Sequence, residues 1–89
     1  MDERRFLSGR RVYGADYDDA GTRPDRAYVE LVGGPLDGLL LDVTGWSDDA
    51  LREGAALRTD LGRYGDTGRS LYEPRSGDAR RFDWQGDTP

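Results

Sequence analysis

Carboxylates dominate the reactive side chains of this 89-residue sequence: fourteen Asp and four Glu stand against thirteen Arg, with no Lys. Two chemistries use such residues. A pair of carboxyls can act as acid and base on a glycosidic bond, and a cluster can hold a hard cation through six to eight oxygens. Asp16-Tyr17-Asp18-Asp19 and Gly65-Asp66-Thr67-Gly68 have the acidic density for calcium. They lack the regular oxygen spacing and the closing Glu of a twelve-residue calcium loop. Eighteen acids in so short a chain guarantee close pairs, so proximity is no sign of catalysis. The absences cut deeper. No Cys means no disulfide scaffold, thiolate or zinc ribbon. No His removes the Ser-His-Asp triad, and no Lys removes the Schiff base and the Walker-type phosphate loop. The expectation is a protein that is not an enzyme and takes neither cofactor nor metal.

Aromatic and arginine side chains offer binding chemistry instead, because they are enriched at the energetic centres of protein interfaces. Tyr28 and Tyr72 lie opposite Val29/Leu31 and Leu71 in a strand reading, which would make them an exposed aromatic strip. With Arg63, Tyr64, Arg69 and Arg75 they form the candidate partner surface. Trp46 reads as a helix staple, and Phe82 and Trp84 as core. The formal charge of −5 resides in residues 27–73, where four Arg face nine acids. That acidity disfavours nucleic acid as a ligand, since phosphate affinity comes from released counterions. It leaves one alternative, an acidic DNA mimic that presents Asp42, Asp48, Asp49, Glu53, Asp60 and Asp66 to a basic protein.

Several elements are needed to position these groups. Ala27-Tyr28-Val29-Glu30-Leu31-Val32 alternates as a half-buried strand, and Gly33-Gly34-Pro35-Leu36-Asp37-Gly38 is a turn. Leu39 to Thr44 returns with Leu39, Leu41 and Val43 inward, which completes a hairpin. Ser47 caps a two-turn helix that begins with Asp48 and Asp49 and stops at Gly54. Ala55 to Leu61 leans to strand, Arg69 to Glu73 is a strand, and Arg80 to Gln85 returns after the turn at Pro74–Asp78. The predicted fold is α+β and mostly β: a small antiparallel sheet of four to five strands with one short helix. Residues 1–26 read as a poorly ordered, flexible N-terminal arm, 27–86 as the β-rich domain, and 87–89 as a tail. Val12 and Tyr13 are among the arm residues able to dock on a neighbour.

The Gly-Gly-Pro-x-Asp-Gly hairpin resembles one found in small actinobacterial and phage proteins of no known activity, as does the text from Tyr72 to Asp87. The resemblance covers residues 27–89 and implies no catalytic residues. The absence of Lys, Asn and Ile, whose codons are AT-rich, fits a high-GC source of that kind. Arg4 and Arg5 precede Phe6-Leu7-Ser8 rather than an apolar signal core, and Leu39-Leu40-Leu41 is far too short to span a bilayer. A cytoplasmic location with no membrane partner is therefore expected. The functional expectation is a non-enzymatic accessory or protein-interaction module that contacts another protein or itself as a homodimer. The alternatives are the acidic DNA-mimic inhibitor and a small-ligand or carbohydrate-binding domain.

Overall fold

A computed structural model describes residues 11–14, 22, 25–59, 61–63, 65 and 68–89. Its elements are β1 (Tyr28–Val32), β2 (Leu40–Asp42), α1 (Asp48–Glu53), β3 (Ala55–Arg58), β4 (Arg69–Arg75) and β5 (Asp78–Thr88). The strands form one sheet in the order β2-β1-β5-β4-β3. The mostly-β class holds, but the sheet is mixed rather than antiparallel. β1 pairs with β2 as the expected hairpin and with β5 in parallel, Leu31 opposite Phe82. The hairpin uses one edge of β1. The other edge takes the C-terminal strand, which returns in the same direction after α1, β3 and β4.

Inward and outward faces follow from burial and register. Val29 and Leu31 of β1, Leu41 of β2, Leu57 of β3, Tyr72 of β4 and Phe82 of β5 make the core, with Val43 and Leu36 from the flanking loops. Tyr28 and Glu30 point to the opposite, outer face, as alternation requires. Ser47 caps α1 by accepting the Ala50 N–H at 3.1 Å, and Trp46 and Leu51 both pack on the core. Gly54 ends the helix at φ +79, in a region closed to other residues. It also sits against β4, where an added Cβ would be 3.0 Å from Glu73 Cα and closer still to the Tyr72 carbonyl.

The sheet curls into a half-barrel. Val12 bridges in parallel to Leu40, on the free side of β2. Tyr13 packs on the core and donates its hydroxyl to the Arg58 carbonyl of β3 at 2.6 Å. In a flat sheet β2 and β3 would lie about 19 Å apart, four spacings of roughly 4.8 Å. Tyr13 meets both edges, β2 through its backbone N–H and β3 through its hydroxyl, because curling brings them together.

Four strands differ in their bounds from expectation; β3 ends at Arg58 and does not reach Leu61. β2 is short, since Val43 and Thr44 leave the ladder after Asp42. β4 runs through Pro74, which pairs with Phe82. The proline is tolerated because β3 begins at Ala55, opposite Tyr72, so no strand on that side needs the missing N–H. β5 continues through Asp87 and Thr88, opposite Ser70 and Arg69, so these residues belong to the sheet and not to a tail.

Candidate functional site

The core phase of β4 determines where the aromatic residues go. Ser70 and Tyr72 point inward and both are fully buried, while Leu71 points outward and is half-buried. The sequence reading put Leu71 inward and Tyr72 outward, and the structure reverses that phase. Polar satisfaction explains the reversal. The Tyr72 hydroxyl donates to the Gly33 carbonyl at 2.7 Å and accepts the Leu36 N–H at 3.0 Å. Burial pushes its pKa up, which keeps the hydroxyl protonated and able to donate. Tyr72 therefore fastens the glycine loop to the core and is no part of an exposed strip. The loop closes on itself as well, because Gly33 N–H donates to Asp37 Oδ1 at 2.7 Å.

Trp84 shares the inward face with Phe82, as expected, but it lies beyond the core and is 42% exposed. A Cβ on Gly34 would stand 2.6 Å from both Cδ1 and Cδ2 of Trp84 and closer still to Cγ. Such near-equal distances place the indole face-on against the Gly34 backbone, an approach that only glycine permits. The ring's Nε1–H donates to Asp87 Oδ1 at 3.1 Å.

Asp87 is the centre of this end of the half-barrel. Its carboxylate also accepts the Ser70 hydroxyl at 2.6 Å and the Arg63 backbone N–H at 2.9 Å. The Ser70 hydrogen bond, followed by that from Arg63 N–H, holds the Asp87 pKa below the usual carboxylate value. Trp84 and Asp87 are three residues apart, a spacing that puts side chains on opposite faces of a regular strand. Here Tyr72 faces Trp84 but the next β4 residue, Leu71, faces Gly86. Gln85 is thus an extra residue, and the bulge turns Trp84 and Asp87 to the same side. Gly86, at φ +134, supplies the backbone freedom beside it. Glycine within a strand pattern was the one available signal for this bulge.

The candidate partner surface divides accordingly. Arg63 belongs to the Asp87 end through its backbone, beside Leu61, which is 71% exposed. Leu61 and Trp84 are the two large apolar side chains most exposed among the described residues. Arg69 lies opposite Thr88, one pair beyond Ser70 and Asp87. Arg75 is six residues along β4, roughly 20 Å away, and forks onto Asp83 at 2.8 and 3.1 Å. Tyr28 is on the outer face of β1. Tyr64 lies outside the described residues. The five described positions do not form one strip.

Charges on the outer face are engaged with one another. Between Pro74–Phe82 and Arg75–Asp78, residues Ala79, Arg80 and Arg81 bulge from β5. Arg81 reaches Asp78 at 2.6 Å, and Glu30, its direct partner in the parallel β1–β5 register, at 3.2 Å. Arg26 binds Asp42 at 2.7 Å. Of the acids assigned to DNA mimicry, Asp42 is thus paired across the sheet and Asp49 is paired with Arg52. Asp48 and Glu53 share α1, whereas Asp60 and Asp66 lie outside the described residues. The acidic stretch at 16–19 and Asp66-Thr67 also lie outside them. Among the described residues, no group of three or more His, Cys, Asp or Glu is placed to hold a metal ion. No described helix is long and apolar enough to cross a membrane. No family model, curated protein or solved structure matches this chain.

Proposed function

We propose that this chain is a non-catalytic protein-interaction module whose contact surface is centred on Trp84, with Leu61 and Arg63 beside it. The observation that carries the reading is the state of the indole: fixed on Gly34 and by Asp87, yet 42% exposed. An aromatic anchor held in place before contact loses little conformational entropy on binding, and Trp is the residue most enriched at interface hot spots. The absence of His, Cys and Lys supports the non-catalytic part of the reading. A stacked sugar would also suit an exposed indole. The neighbouring carboxylate, however, is already engaged by Ser70, Trp84 and the Arg63 N–H, which favours a protein surface. The paired state of Asp42 and Asp49 weighs against the acidic mimic.

The test is affinity capture from a lysate of the encoding organism, at low and high salt, with the wild-type chain and Trp84→Ala. The expected result is a partner kept by the wild type at high salt and bound about tenfold or more weakly by the variant. The variant's circular dichroism should match the wild type. A partner held equally by both proteins would overturn the assignment of the surface. A basic partner captured only at low salt would put the acidic mimic in its place.

A further inference from the structure

Charge around Trp84 selects what its indole receives. The Gly34 backbone takes one face of the ring and Asp87 takes its Nε1–H at 3.1 Å, so the exposed part is the far face and the benzo edge. An indole face attracts a cation placed over it. Glu30, Asp42, Asp78 and Asp83 each bind an arginine of this chain. Asp87 is held differently. Its donors are the Ser70 hydroxyl, the Arg63 backbone N–H and the Trp84 indole, all neutral. They satisfy its oxygens and leave its charge uncompensated. The Arg63 guanidinium acts on Asp87 less than any of these three hydrogen bonds. Asp37, in the loop that the indole lies on, likewise accepts a neutral donor, the Gly33 N–H. Burial raises the Tyr72 pKa most, and the charges of Asp37 and Asp87 add to the rise. Both charges thus act at one end of the half-barrel.

We propose that the open face of Trp84 receives an arginine side chain of the partner protein, stacked on the indole and drawn there by the charges of Asp87 and Asp37. This inference rests on the reading of Trp84 as the contact surface and adds the chemistry of its occupant. An apolar occupant would strip water from the two carboxylates and return no counter-charge. An anionic one would be repelled. A guanidinium is planar, weakly hydrated and able to stack on an aromatic face, so it meets the ring and the charge together. The formal charge of −5 draws a basic side chain over a longer range. One seated cation is required, not the basic surface that a DNA mimic would bind.

NMR titration of the full, nitrogen-15-labelled chain tests it. The probes are a capped glycine peptide carrying one arginine and the same peptide carrying citrulline, the uncharged isostere. The Trp84 Nε1–H signal should shift saturably with the arginine peptide, and the citrulline peptide should bind about threefold or more weakly. Trp46, packed on the core, should not respond. Asp87→Asn should weaken the arginine peptide by about the same factor and leave the citrulline peptide as it was. Asp37→Asn keeps the bond between the indole and Asp87, and should act in the same direction to a smaller degree. Equal binding of the two peptides, no shift with arginine, or variants that weaken both peptides alike would each overturn the proposal. A partner captured through Trp84 without any preference for the arginine peptide would remove the arginine and leave the contact surface standing. Capture unaffected by Trp84→Ala, with the arginine preference intact, would do the reverse.

Discussion

Tyr72 joins the sequence to the fold through one oxygen. Its hydroxyl accepts the Leu36 N–H, and that bond is buried. Tyr72→Phe removes the acceptor and leaves the N–H without its bond inside the core, while the ring still fills its volume. A buried donor left unsatisfied costs about 1–3 kcal/mol. Urea denaturation should show a lower midpoint with an unchanged slope, because the folded surface stays the same. A midpoint equal to that of wild type would mean that water replaces the hydroxyl and that the loop is not fastened from the core. The position also shows why this residue was misread as surface. Aromatic type alone does not tell an exposed binding residue from a buried one whose polar tip has partners. Those partners are a loop carbonyl and a loop N–H that lie 39 and 36 positions away.

At the scale of elements, local chemistry was legible and distant pairing was not. Ser47 with Asp48 and Asp49 announced α1, the alternation from Tyr28 to Val32 announced β1, and Gly54 marked the step from helix to β3. Each signal is contained within a few residues. The parallel pairing of β1 with β5 leaves no such mark, because it joins Leu31 to Phe82 across the whole of α1, β3 and β4. Asp87 was hidden twice. It is one acid among eighteen, and strict alternation separates it from Trp84 unless the bulge at Gln85 is known. Gly54 shows how firmly a local signal can bind to tertiary structure. Gly54→Ala places a side chain at φ +79 against the β4 backbone. The backbone conformation alone costs roughly 1–3 kcal/mol, and β4 cannot yield as a flexible side chain would. The expected outcome is a thermal midpoint lowered by several degrees, roughly 4–8 °C for each kcal/mol in a domain this small. A stability loss of only a few tenths of a kcal/mol, typical of an exposed helix end, would show that α1 and β4 are not in close contact.

At the scale of the whole molecule, acid sensitivity among the described residues resides in four carboxyls whose pKa values are lowered. Asp78 is lowered chiefly by the Arg81 hydrogen bond, Asp83 by that from Arg75, and Asp87 by that from Ser70. For Asp42, burial acts upward but is outweighed by hydrogen bonds from Thr44 and Arg26. A carboxyl that binds its proton less readily in the folded state contributes stability above its ordinary value of 3.8, and that contribution is lost as pH falls through the lower folded value. Stability should therefore change little from neutrality down to about pH 5 and fall steeply below the ordinary value. Salt separates the contributors. The pairs of Arg75 with Asp83 and of Arg26 with Asp42 are partly exposed and weaken with ionic strength. Asp87 is held first by a neutral hydroxyl and so depends on salt far less. Asp87→Asn should be less stable than wild type at pH 7, with the two urea midpoints converging on acidification to about pH 2. Adding salt should lower the wild-type midpoint at pH 7 without closing that gap. A gap that stays constant across the pH range would show that Asp87 acts through shape and not through charge. The centre of the Trp84 surface would then be insensitive to acid, while the outer face would still unlock.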